Sequence, residues 1–118
     1  MKSPTARSLA HLRQQGAMAQ VVEHWNHFSG RRHDLFGFID IVAVDDQPGV
    51  LGVQTTSASN VSARMTKLRD ECAGEMRRWL LAKNRLVVHG WAKRGPRGKR
   101  KTWSVSERWV TSKDLYGV

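Results

Sequence analysis

Apolar and polar positions alternate along this chain with two different periods. Residues 3–16 place Ala6, Leu9, Ala10 and Leu12 at roughly helical spacing, behind Ser3-Pro4 and ahead of Gly16. A capping serine, a first-turn proline and a glycine just past the end mark a short helix. The apolar runs 38–44 (FIDIVAV) and 50–56 (VLGVQTT) are short and β-branched, and read as strands. Asp45-Asp46-Gln47-Pro48-Gly49 between them is turn chemistry. Helical spacing returns over 62–82, with Leu68, Cys72, Met76, Trp79 and Leu80 inward, a break expected near Gly74, and Asn84 beyond the end. Segments 85–93 (RLVVHGWAK) and 102–110 (TWSVSERWV) read as two more strands. Segment 17–25 (AMAQVVEHW) fits helix or strand, and its β-branched pair after Gly16 favours strand; 26–33 and 57–60 read as loops. This order predicts one α/β domain over 1–118, a single mixed sheet of four to five strands flanked by helices.

Composition changes the picture in one respect. The 118 residues hold 20 Lys or Arg against 10 Asp or Glu, a formal charge of +10. Such an excess favours a polyanionic partner, nucleic acid or an acidic membrane face. Cys72 is the only cysteine, so an internal disulfide and a CxxC metal site are excluded, and it reads as a buried helix residue. The first residues lack the apolar core of a signal peptide, and no apolar run approaches about 18 residues. The expectation is a soluble, cytoplasmic protein.

Asp40 is the anomaly in the pattern, a carboxylate within Phe38, Ile39, Ile41, Val42, Ala43 and Val44. Burial there is costly without a compensating partner. A turn centred on Gln47 sets Asp40 opposite Gln54, with Thr56 on the same face as Gln54. Asp34 is near enough in sequence to reach the same end. A carboxylate, an amide oxygen and a hydroxyl suit a hard cation such as Mg²⁺ or Mn²⁺. The other reading is a loop cap or an arginine partner for Asp40.

The helix, then GFIDIVAV, a short turn, then VLGVQTTS and a second helix, resembles the PD-(D/E)XK nuclease superfamily. The similarity spans about residues 6–91 and is sharpest between Asp34 and Thr56; the branch it is nearest to is the Holliday-junction-resolvase-like and virus-type replication-repair nucleases. The resemblance implies a restriction-endonuclease-like fold and Mg²⁺- or Mn²⁺-dependent cleavage of DNA, with branched or repair DNA as a substrate class. It puts the family's Asp at Asp40, its Glu at Gln54 and its Lys at Thr56. A second registration moves the Lys site to Gln54 and the Glu site to Gly52. Gln54 and Thr56 depart from the pattern: an amide brings no charge and a hydroxyl no cation. Asp34 is the candidate replacement acid, and Lys67 or Arg64 the candidate replacement cation. Asp40, Gln54 and Asp34 are thus the candidate metal ligands, and Asp40, Gln54, Thr56, Asp34 and Lys67 the candidate catalytic set. Resolvases of this type cut as dimers, so the resemblance also implies a homodimer.

Residues 85–110 form a basic hairpin in this reading. Eight Lys or Arg face one acid, Glu107, between Arg85 and Arg108, and Trp91, Trp103 and Trp109 interleave. The tip holds Arg94, Arg97, Lys99, Arg100 and Lys101, which with Arg64 are the candidate DNA contacts. The tryptophans read as core residues and His89 as structural. His24 and His27 give a weak metal spacing without a third ligand, and Glu23 joins the acids if its segment lies against the hairpin. Three functions follow: a metal-dependent DNA endonuclease, an inactive nuclease-fold protein that binds nucleic acid, or a basic adaptor.

Overall fold

The structure, a computed structural model, describes residues 2–116, the last without its side chain. Helix α1 (Pro4–Gln14) is capped by Ser3, whose hydroxyl accepts from the Ala6 N–H. Then come β1 (Met18–Val21), β2 (His24–Asn26), β3 (Arg31–His33), β4 (Ile41–Val44) and β5 (Leu51–Ser57). A short 3₁₀ turn, Ala58–Asn60, leads to α2 (Val61–Glu71) and α3 (Ala73–Leu81). Strands β6 (Arg85–Arg94) and β7 (Thr102–Val110) and the short α4 (Ser112–Tyr116) complete it.

Five strands form one mixed sheet in the order β1-β4-β5-β6-β7, so the expected α/β class and strand number hold. β5 and β6 are parallel and the other neighbours antiparallel. The parallel step needs a crossover, which α2 and α3 supply on one face. That face buries Phe38, Ile39, Met65, Leu68, Met76, Leu86 and Val88. Helix α1 covers the other, packing its Leu12 into a cluster with Ile41, Ala43, Leu51, Val53 and Val87.

Two local expectations change and one is placed more finely. Segment 26–33 is no plain loop: β2 and β3 pair as a separate antiparallel hairpin. The long helix breaks near Gly74 as expected, at Cys72, whose non-helical backbone (φ −125°, ψ 18°) ends α2 and starts α3. The strand expected from Phe38 begins only at Ile41, because 34–39 fold back on themselves through a Leu35–Ile39 bridge. Phe36 and Gly37 take positive φ (56° and 86°) at that turn. Gly37 does so without strain, while for Phe36 the left-handed region is costly.

The turn between β4 and β5 is bolted to β6. Arg85 pairs with Asp45 at 2.7 Å and holds its carboxyl below the usual range. Gly49 (φ 81°) passes so close to the Lys83 carbonyl that a Cβ there would clash.

Candidate metal centre

The β4–β5 ladder pairs Ile41 with Val53, Val42 with Gly52 and Ala43 with Leu51. Continued by one pair, it sets Asp40 across from Gln54, as the turn geometry predicts. The side chain of Asp40 nevertheless goes elsewhere. Ile39 packs on the α2–α3 face and Ile41 on the α1 face, although residues two apart in a regular strand share a face. The backbone therefore twists out of alternation at Asp40. Its carboxylate accepts from the Thr55 N–H (2.8 Å) and from the Thr55 hydroxyl (3.2 Å), and Thr5 of α1 bonds that hydroxyl in turn (2.7 Å).

Two further carboxylates converge on Asp40. The Leu35–Ile39 bridge, extended by one pair, sets Asp34 against Asp40. The His24–His33 pair, extended by one, sets Glu23 against Asp34. At the end of β1 the N–H groups of Val22 and Glu23 both reach the Asp40 carbonyl, which brings Glu23 beside Asp40. Oxygens of Glu23, Asp34 and Asp40 all lie within 4.8 Å of one another, the one such acid group among the described residues. They sit in a cavity of about 420 Å³, also lined by Thr5, Thr56 and Arg64.

The electrostatics of this cluster are unfavourable as it stands. Burial and the adjoining Asp34 carboxyl push Asp40 up to about 8, against the pull of the Thr55 N–H. Like charges this close do not all ionise together, and the proton stays on Asp40. Arg32 approaches Glu23 at 3.4 Å, but its side chain is largely exposed and offsets little.

The structure sorts the expected residues. Asp40, Asp34, Thr56 and Arg64 line one cavity, and Glu23 joins them. Gln54 does not: it is buried, and its Oε1 has no hydrogen-bond partner. With Asp40 displaced toward Thr55, Gln54 is left on the other face of β5. Gly52 is no alternative acid site, since Ile39 and Trp79 lie 3.1 Å from where its Cβ would stand. Lys67 is exposed and does not line the cavity, because it sits a helical turn past Arg64 along α2. Arg94, Arg97, Lys99, Arg100 and Lys101 are all exposed at the β6–β7 tip, outside the cavity. His24 stacks loosely on His33 (6.2 Å) rather than joining His27 at a metal site. Sequence reasoning missed Thr55. The signal for the Asp34–Asp40 contact was present in DLFGFID, a glycine turn with an acid at each end.

His89 is structural, as expected. It is buried beneath α1, where Ser8 bonds its Nδ1 (2.9 Å) and accepts from the Trp91 indole N–H (2.8 Å). Burial, helped by His11, lowers the His89 pKa to about 4.

No protein-family profile, no curated protein and no solved structure matches this chain. The fold and the cavity define it as an α/β protein with a three-carboxylate pocket beside β5, the central strand of a mixed sheet.

Proposed function

We propose that the protein is a metal-dependent DNA endonuclease. The convergence of Glu23, Asp34 and Asp40 within 4.8 Å in an open cavity of a chain charged +10 carries the reading. The donors are all oxygen, as Mg²⁺ and Mn²⁺ prefer, and their crowding is relieved by a bound cation. Glu23, Asp34 and Asp40 would hold the ion, which when bound supplies Lewis-acid polarisation of a phosphate oxygen. Arg64 adds positive charge on the α2 side of the cavity. Pro4 and Thr5 bring the start of α1 to its rim, and no acid occupies that helix's first turn. Helix N-termini favour phosphate oxygens. Thr55 orients Asp40 through two hydrogen bonds, so it is a positioning residue.

One observation favours a second reading, a nucleic-acid-binding module without chemistry. Among the described residues Arg64 is the only Lys or Arg lining the cavity, and no lysine takes the role that the resembled nucleases give theirs. Incubation with branched and linear DNA under Mg²⁺, Mn²⁺ or chelator separates the two. The endonuclease reading expects metal-dependent cuts that Asp40→Asn removes. Binding without cuts in any metal would establish the module.

A further inference from the structure

A second cavity lies on the α1 face, across the first turns of that helix from the carboxylates. It is a cleft of about 550 Å³ between α1 and the β6–β7 hairpin, lined by Lys2, Arg7, His11, Gln14, Trp91 and Trp103 among others. No carboxylate among the described residues lines it. The Arg7 guanidinium stacks on the Trp103 ring at 3.9 Å, and the Lys93 ammonium is 5.6 Å from the same ring. Trp91 forms the floor, held by Ser8 and edged by His11 at 5.9 Å. Trp103 is still 41% exposed, so the stack has open surface.

The geometry points to a subsite for one unpaired nucleotide of a DNA strand, with the base on the Arg7–Trp103 stack and the phosphates on Lys2 and Lys93. The proposal rests on the nucleic-acid part of the reading above, not on its chemistry. A planar cation on a planar indole offers extended stacking surface, and every base has a face that can join it. Paired bases inside a duplex show proteins only their edges, so a stacking site selects unpaired ones. A cationic, acid-free wall suits the phosphates and repels basic protein surfaces. Position supports the same occupant. Lys93 pairs with Trp103 one rung before the ladder ends at Arg94 and Thr102, where the basic tip begins. At the other side, Thr5 faces the carboxylate pocket and Arg7 faces the cleft, two residues apart on α1. A single strand crossing the start of α1 touches both cavities and continues along the tip.

The test measures binding of the full chain in chelator, so that cleavage plays no part. Fluorescence anisotropy compares an oligothymidylate, a blunt duplex and thymidine monophosphate. Trp103→Ala and Arg7→Ala are expected to weaken oligothymidylate binding about tenfold each, with duplex affinity changed less than about twofold. Trp103→Phe keeps a stacking face and should restore most of the loss, which a misfolded variant would not do. Trp109→Ala, an equally exposed tryptophan on the same strand, should leave both affinities as they were. Equal losses on strand and duplex would reduce the cleft to plain charge and overturn the proposal; so would unchanged oligothymidylate binding, or monophosphate binding as tight as the oligomer. The assay reads binding alone, so its outcome stands whether or not the wild type cuts DNA, and failure of either reading is visible without the other.

Discussion

The two cavities that flank the start of α1 are built on opposite electrostatic plans. One gathers Glu23, Asp34 and Asp40, three of the chain's ten acids, where solvent is partly excluded. The other gathers cations and indoles and no acid among the described residues. Cations on long, exposed side chains cost little to place, since water and salt screen their repulsion. Carboxylates pressed together at a partly buried point stay there only because three backbone ladders fix their positions. The first cavity therefore holds a strained charge arrangement, which the cation proposed above would relieve. The second carries no such strain.

The sharpest way to break this contrast is to remove the buried carboxyl. Asp40→Asn is expected to reduce metal-dependent cleavage to background while DNA affinity stays nearly intact. Full activity with Mg²⁺ in that variant would place the chemistry elsewhere.

The floor of the cationic cleft offers a second large effect. Ser8→Ala leaves the His89 Nδ1 and the Trp91 N–H without their shared partner in a buried site. A loss of about 1–3 kcal/mol is expected in denaturant unfolding. An unchanged midpoint would mean that water replaces the hydroxyl and that the floor is looser than its two hydrogen bonds imply.

Proton linkage distinguishes the two regions by sign. Asp40 is raised to about 8, so the folded state holds a proton the unfolded chain has lost, and stability falls as pH rises from about 4 to 8. His89 is lowered to about 4, so stability rises with pH from about 4 to 6.5. The opposed slopes cancel in part below pH 6.5, and only the Asp40 slope remains above it. Between pH 6.5 and 8 the metal-free protein should lose roughly 1–2 kcal/mol. Mn²⁺ at pH 8 should recover it, and Asp40→Asn should flatten the slope. A flat profile over that window would show that Asp40 is already ionised.

The smallest effect on the fold concerns the tip. Lys99, Arg100 and Lys101 are exposed beside Gly98, whose φ is 78°. Replacing all three with Ala should change stability by less than about 0.5 kcal/mol. It should lower the salt slope of duplex binding by roughly 0.9 for each phosphate that the tip no longer neutralises. An unchanged slope would mean that the tip is only a solvated turn.

Much of this was legible in the sequence because it depends on short-range rules. Ser3, Pro4 and Gly16 bound α1, Asp45 to Gly49 set a turn and thereby the β4–β5 register, and the glycine-rich stretch 94–101 announced a hairpin tip. The anomaly at Asp40 was equally plain, since a lone carboxylate in an apolar run breaks the pattern by itself. What it touches was not. Alternation predicts Gln54 as its neighbour, but Ile39 and Ile41 pack on opposite faces, and the resulting twist hands Asp40 to Thr55. Glu23 reaches the pocket only because β1 pairs with β4, a pairing between segments some twenty residues apart. Arg7 meets Trp103 across nearly the whole chain. Local propensity and periodicity act within a few residues, so they determine which segments become helices and strands. Which side chains share a cavity is decided by how the helices cover the two faces of the sheet and how the ladders end, and only the packed structure contains that.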